Sequence, residues 1–119
     1  MKNGGAIKNL TIENSSMKIP ASTYSVIKNL GFFVGNATAS DSPAGTGNLT
    51  ISDCHSINNT IFITGNVQVD YVGFIAGNLE NNQAAGPYIL VGDCSTKYSN
   101  FTSSAKSTYN FGGNFGSAC

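Results

Sequence analysis

Gly31-Phe32-Phe33-Val34-Gly35 is a five-residue frame with glycine at both ends and apolar residues between. It returns as Gly73-Phe74-Ile75-Ala76-Gly77 and, more loosely, as Gly112-Gly113-Asn114-Phe115-Gly116. The frames begin 42 and then 39 residues apart. A second marker keeps nearly the same period. Asn9-Leu10-Thr11-Ile12, Asn48-Leu49-Thr50-Ile51 and Tyr88-Ile89-Leu90-Val91 lie 39 and then 40 residues apart. Two markers on one period define an internal repeat, the signature of units that bury their apolar faces by stacking on neighbours.

The residues around these markers read as strands. Leu10/Ile12, Leu49/Ile51, Ile61/Ile63 and Val67/Val69/Tyr71 alternate with period two, and no helical period competes with them. Turn chemistry separates the runs at Asp41-Ser42-Pro43-Ala44-Gly45 and at Asn81-Asn82-Gln83-Ala84-Ala85-Gly86-Pro87, which share a phase of the repeat. The expected fold is all-β: a right-handed parallel β-solenoid of about three repeats of roughly 40 residues, bounded near 5–46, 47–86 and 87–119. Each turn would satisfy its backbone by hydrogen bonds to the next, about 4.8 Å away. A β-sandwich is the alternative, because turn-separated strands fit either; the repeat favours the solenoid. Glycine frames are expected as strands, and Asn9 and Asn48 as equivalent positions on adjacent turns.

Composition narrows the function classes. The 119 residues make one domain or a piece of a longer array. Charged residues are 10% of the chain and the formal net charge is zero, so nucleic acid is not an electrostatic partner. Asn, Ser, Thr and Gly carry solubility instead, as in extracellular β-proteins. No apolar run reaches the length of a membrane span. Met1-Lys2-Asn3-Gly4-Gly5 lacks the apolar centre of a signal peptide, which fits a processed chain or a fragment. Three cysteines leave one over, so no disulfide framework is implied.

Ile51-Ser52-Asp53-Cys54, then Thr64-Gly65-Asn66-Val67, then Tyr71-Val72-Gly73-Phe74-Ile75-Ala76-Gly77-Asn78 resembles the GLUG-motif repeats of microbial surface proteins. Those pair an I-S-N-C strand with a G-N-V turn and a V-G-G-L-V-G strand. The first repeat departs from the pattern, with Glu13-Asn14-Ser15 in place of Asp-Cys. The third keeps Gly92-Asp93-Cys94 but degrades its glycine strand. The resemblance implies a β-solenoid stalk or adhesin segment at a cell surface or in a matrix. It brings no catalytic residues with it.

Residues that could carry chemistry are few. His55 is the single histidine, and a zinc or nucleophile system would need Cys54, His55 and Cys94 to converge with a further ligand. Cys54 and Cys94 share a phase after Ile51-Ser52-Asp53 and Val91-Gly92-Asp93, so they are expected as a stacked pair on neighbouring turns. A spacing of about 4.8 Å would permit a disulfide between them. Asp53 and Asp93 form a candidate acidic row, the one carboxylate pair a glycosidase or lyase could use. The plainer reading is a turn-capping aspartate in each repeat. No catalytic residue, metal or cofactor is assigned. Threonines form no regular Thr-x-Thr rank of the ice-binding kind, and Gly112–Gly116 lacks the Lys-Ser/Thr and helix of a phosphate loop.

Six Asn-x-Ser/Thr sequons stand at Asn9, Asn14, Asn36, Asn48, Asn58 and Asn100. Unmodified, stacked asparagines would form an amide ladder instead. Asn36 and Asn100 are expected free of such stacking. In the glycine frames both strand faces are apolar, so Phe33 and Ile75 are expected as a flat exposed strip for association. The expected function is a non-enzymatic extracellular structural or adhesive module, glycosylated and self-associating end to end into a fibre. The alternative is a carbohydrate-binding or carbohydrate-degrading solenoid, with Tyr24, Tyr71, Tyr88, Tyr98 and Tyr109 stacking on sugar rings.

Overall fold

Alternating runs of β-branched and aromatic residues become short strands, and every described strand pair is parallel. The computed structural model describes residues 4–19, 25–39, 47–64, 67–81, 88–103 and 110–118, and they are all-β without a helix. The first segment holds β1 (Ala6–Glu13), β2 (Ser16–Ile19), β3 (Ser25–Gly31) and β4 (Val34–Ala39). The middle segment holds β5 (Leu49–Ile57), β6 (Thr60–Ile63), β7 (Val67–Gly73) and β8 (Ala76–Asn81). The third holds β9 (Ile89–Gly92), β10 (Ser95–Lys97), β11 (Asn100–Ser103), β12 (Asn110–Gly112) and β13 (Phe115–Ala118).

Each segment gives strands to the same four sheets in the same order. Sheet A joins β1 and β5 to β9 and β10; sheet B is β2-β6-β11; sheet C is β3-β7-β12; sheet D is β4-β8-β13. The middle segment lies at the centre of all four. Hydrogen bonds continue through the corners between sheets. At the A–B corner Asn14 N donates to Ile57 O and Asn58 N to Lys97 O; at the C–D corner Phe32 N donates to Phe74 O and Phe74 N to Gly113 O.

Register agrees with the glycine frames and not with the first-strand marker. Gly31 pairs with Gly73, and Gly73 with Gly112. Leu49-Thr50-Ile51 pairs with Ile89-Leu90-Val91. In the first segment, however, Ile7 faces Ile51 and Leu10 faces Cys54. Asn9 therefore stands opposite Asp53, and the expected Asn9/Asn48 equivalence does not hold. The reason is a break in alternation. Asn9, Asp53 and Asp93 share one column and all have left-handed backbone, φ 54°, 52° and 51°. A second column, Asn14, Asn58 and Tyr98, is left-handed too. Asparagine and aspartate tolerate that conformation better than other side-chain-bearing residues.

Two cores fill the space between sheets. Leu49, Ile51 and Cys54 of sheet A pack with Val34, Ala37, Ala39, Ala76 and Leu79 of sheet D. Ile61 and Ile63 of sheet B pack with Val69 and Val72 of sheet C. The glycine frame is the corner that joins them, not a strand. β3 and β7 end at its first glycine, and β4 and β8 begin two residues later than Phe32 and Phe74. A Cβ on Gly31 would lie 2.8 Å from Ala76 Cα, and one on Gly77 would lie 2.5 Å from Leu30 N. Sheets C and D thus touch backbone to backbone at these glycines, an approach that a side chain would block.

This corner corrects the expected association strip. Phe32 and Phe74 enter the B–C core and stack on each other, with ring centroids 6.1 Å apart. Ile75 is fully buried in the A–D core, and Phe33 packs against the same cluster. Successive corner residues feed opposite cores, so Phe33 and Ile75 are interior contacts and form no exposed strip.

Candidate functional site

Sheet A carries the chain's candidate chemistry, because the left-handed column places equivalent residues side by side after it. Ser52 pairs with Gly92 and His55 with Ser95, which sets Cys54 beside Cys94 at the same lateral position. Both thiols are free and point alike. Cys54 Sγ donates toward Ile7 O (3.6 Å) and Ser52 O (3.3 Å); Cys94 Sγ donates toward Ile51 O (3.6 Å) and Gly92 O (3.4 Å). Burial pushes the Cys54 thiol above its ordinary range, and the neighbouring Cys94 adds to the effect. Leu10 completes the column in the first segment.

The outer side of the same strands holds a hydrogen-bonded trio. His55 Nε2 lies 2.9 Å from Asp53 Oδ1, and His55 Nδ1 lies 2.8 Å from Ser95 Oγ. A carboxylate only accepts, so Nε2 carries the proton and, in the neutral ring, Nδ1 accepts from the Ser95 hydroxyl. These are the residue types of an acyl-transfer triad. Here the histidine and aspartate side chains are 33% and 56% exposed, so water competes for every group. Its mechanical effect is a tie from the middle segment to the third. Ser95 was missed in the sequence, although the Cys54/Cys94 phase already set it opposite His55.

At the A–B corner Asn59 is fully buried with its amide engaged. Its Nδ2 donates to Ile12 O (2.7 Å) and Ser56 Oγ (2.7 Å), and its Oδ1 accepts from Ser15 N (2.8 Å). The third segment has Ser99 at this place, too short to make the equivalent bond. Thr96 Oγ1, which occupies the Ser56 column, is buried without a partner.

All six sequon asparagines are exposed. Three of them engage in stacking. Asn58 Nδ2 donates to Asn14 Oδ1 (2.6 Å), and Asn78 Nδ2 donates to Asn36 Oδ1 (2.8 Å). Asn36, expected free of stacking, is therefore in an amide column with Asn78. Asn48 Oδ1 accepts from Tyr88 N (2.8 Å), while Asn100 Nδ2 reaches Thr102 Oγ1 (3.5 Å) within its own sequon.

The described tyrosines form no row. Tyr71 pairs with Asn29 and Asn110 in sheet C, Tyr88 precedes β9, and Tyr98 stands in the Asn14/Asn58 column. Tyr24, Tyr109 and Cys119 lie outside the described residues, as do the turn residues at 41–45 and 82–87. Among the described residues no three His, Cys, Asp or Glu side chains gather as a metal site. No helix among them is long and apolar enough to cross a membrane, which says nothing of strands. Comparison with protein-family models, with curated proteins and with solved structures matches none of them.

Proposed function

We propose that this chain is a β-solenoid module with a structural or adhesive, non-enzymatic role at the cell surface or outside the cell, extended by end-to-end stacking. One observation carries the reading. Core positions are mostly apolar in all three segments, yet in sheets A, B and C those in the middle are covered while their described equivalents in the flanking segments are more open. Ile51 is fully buried, whereas Val91 in its column is 40% exposed and Ile7 is half-buried. Ile61, Val69 and Val72 are likewise buried, while Met17, Phe101, Ile27 and Leu30 beside them are partly open. A further segment on either side would cover these groups and pair the outer strand edges. Parallel in-register strands from successive segments favour the solenoid over a sandwich, whose ladders are antiparallel. The GLUG-like residues of the middle segment and the exposed sequons support an extracellular, glycosylated setting.

Sedimentation velocity across a concentration series, with electron microscopy of the same samples, tests the stacking. Filaments or a ladder of oligomers are expected. A monomer that stays monomeric at the highest concentration, with no filaments, would end the self-association reading. Intact mass after secretion from a eukaryotic host tests the glycans: bare polypeptide mass counts against them.

A further inference from the structure

The Cys54/Cys94 pair has a polarity that ordinary core residues lack. Cys54 is fully buried, with Leu10 its register neighbour on one side and Cys94 on the other. Cys94 belongs to the third segment and packs against the same core while remaining only partly covered. Its Sγ points back toward Ile51 O, the carbonyl three residues before Cys54. Neighbouring parallel strands lie about 4.8 Å apart, within the α-carbon range of a disulfide. Each Sγ rests against backbone carbonyls, so closing the bond requires a thiol to leave those contacts, and Cys94 has the open side that allows it.

We infer that Cys54 and Cys94 form a reversible oxidative staple between the middle and third segments, with Cys94 as the attacking thiol and Cys54 as the resolving one. The co-reactant is a small-molecule disulfide. Cys94 loses its proton to solvent, and the thiolate attacks one sulfur of the reagent. That S–S bond breaks, one reagent thiolate leaves, and a mixed disulfide stands on Cys94. Cys54, deprotonated in turn, attacks the Cys94 sulfur and expels the second reagent thiolate. The protein loses two hydrogens and the reagent gains two, leaving as two thiols. The order follows from access: a buried thiol with its ionisation suppressed is a poor first nucleophile. An excess of reducing thiol reverses both steps.

Glutathione disulfide is the probe. The folded 119-residue chain is incubated with it, quenched with acid, and read by intact mass and peptide mapping, which separates this bridge from any through Cys119. The wild type is expected to yield a Cys54–Cys94 cross-linked peptide with no glutathione retained on either of these two cysteines. Cys54→Ala should stop with one glutathione on Cys94. Cys94→Ala should leave Cys54 reacting at least about tenfold more slowly than Cys94 does in the wild type. Cys54→Ser, read alongside, guards against misfolding of the alanine variant, with matching circular dichroism as the check. Stable glutathione on Cys94 of the wild type without an internal bridge would overturn the staple. Faster reaction at Cys54 than at Cys94 would overturn the order.

Discussion

Ile7, Ile51 and Val91 occupy one column of sheet A, yet only the middle one is sealed from water. The same holds in sheets B and C, whereas in sheet D the first segment's Val34, Ala37 and Ala39 are buried as well. The flanking segments are mostly apolar at these positions too, with Ser103 opposite Ile63 an exception; they have a neighbour on one side only. Burial here is set by how many neighbouring strands a residue has as much as by its identity.

The contrast can be broken at its centre first. Ile51→Ala should destabilise by about 4 kcal/mol, the upper part of the range for a fully buried aliphatic side chain. Val91→Ala in the same column should cost only about 1 kcal/mol, since much of that side chain is already hydrated. Urea unfolding curves for both variants read the difference. Equal losses would mean that the third segment is covered in solution, and a Val91→Ala loss that grows with protein concentration would identify copies as the cover.

Gly77 and Gly35 extend the test to the C–D contact. A Cβ at Gly77 would sit 2.5 Å from Leu30 N and 2.7 Å from Gly35 O, whereas one at Gly35 comes no closer than 3.4 Å to Asn29 O. Gly77→Ala should therefore cost about 3 kcal/mol and Gly35→Ala about 1 kcal/mol or less, by thermal melts. Comparable effects would contradict the close backbone approach of the middle segment.

The smallest effect sharpens the comparison by making the third segment resemble the middle. Tyr98 is 86% exposed and held at φ 51°, a conformation costly for tyrosine, where Asn14 and Asn58 stand in the other segments. Rewriting Tyr98-Ser99 as Asn-Asn relieves that strain and offers an amide to Thr96 Oγ1. A gain of about 1–2 kcal/mol is expected in the same melts. No gain would show that Tyr98 tolerates its backbone through contacts elsewhere.

Much of the plan was legible because glycine is irreplaceable where backbones touch. The frame offsets of 42 and 39 are the register of sheet C itself. The first strand misled for a physical reason. Asn-Leu-Thr-Ile occurs at 9–12 and 48–51, but the first asparagine is a left-handed break and the second lies before the strand. Left-handed residues are invisible to a period-two reading, although their five-residue spacing, Asn9 to Asn14 and Asp53 to Asn58, was there to be found. Phe33 and Ile75 were misplaced similarly, since alternation fails at a corner. The thiol pair followed from phase alone, while the His55 trio needed the side-chain geometry.

The links between sheets do not behave alike. Between sheets A and B, Glu13-to-Ser16, Ile57-to-Thr60 and Lys97-to-Asn100 have one length; between C and D, the glycine frames do too. The other two links vary. Ile19 to Ser25 is longer than Ile63 to Val67, and Ala39 to Leu49 is longer than Asn81 to Ile89. Length is thus locked where left-handed residues and touching glycines turn the chain, and open to revision in the remaining two links. A foreign peptide grafted between Ala39 and Leu49, or between Ile19 and Ser25, would leave every ladder in phase. The same peptide set into Asn14-Ser15 or Phe32-Phe33 would throw two sheets out of step at once.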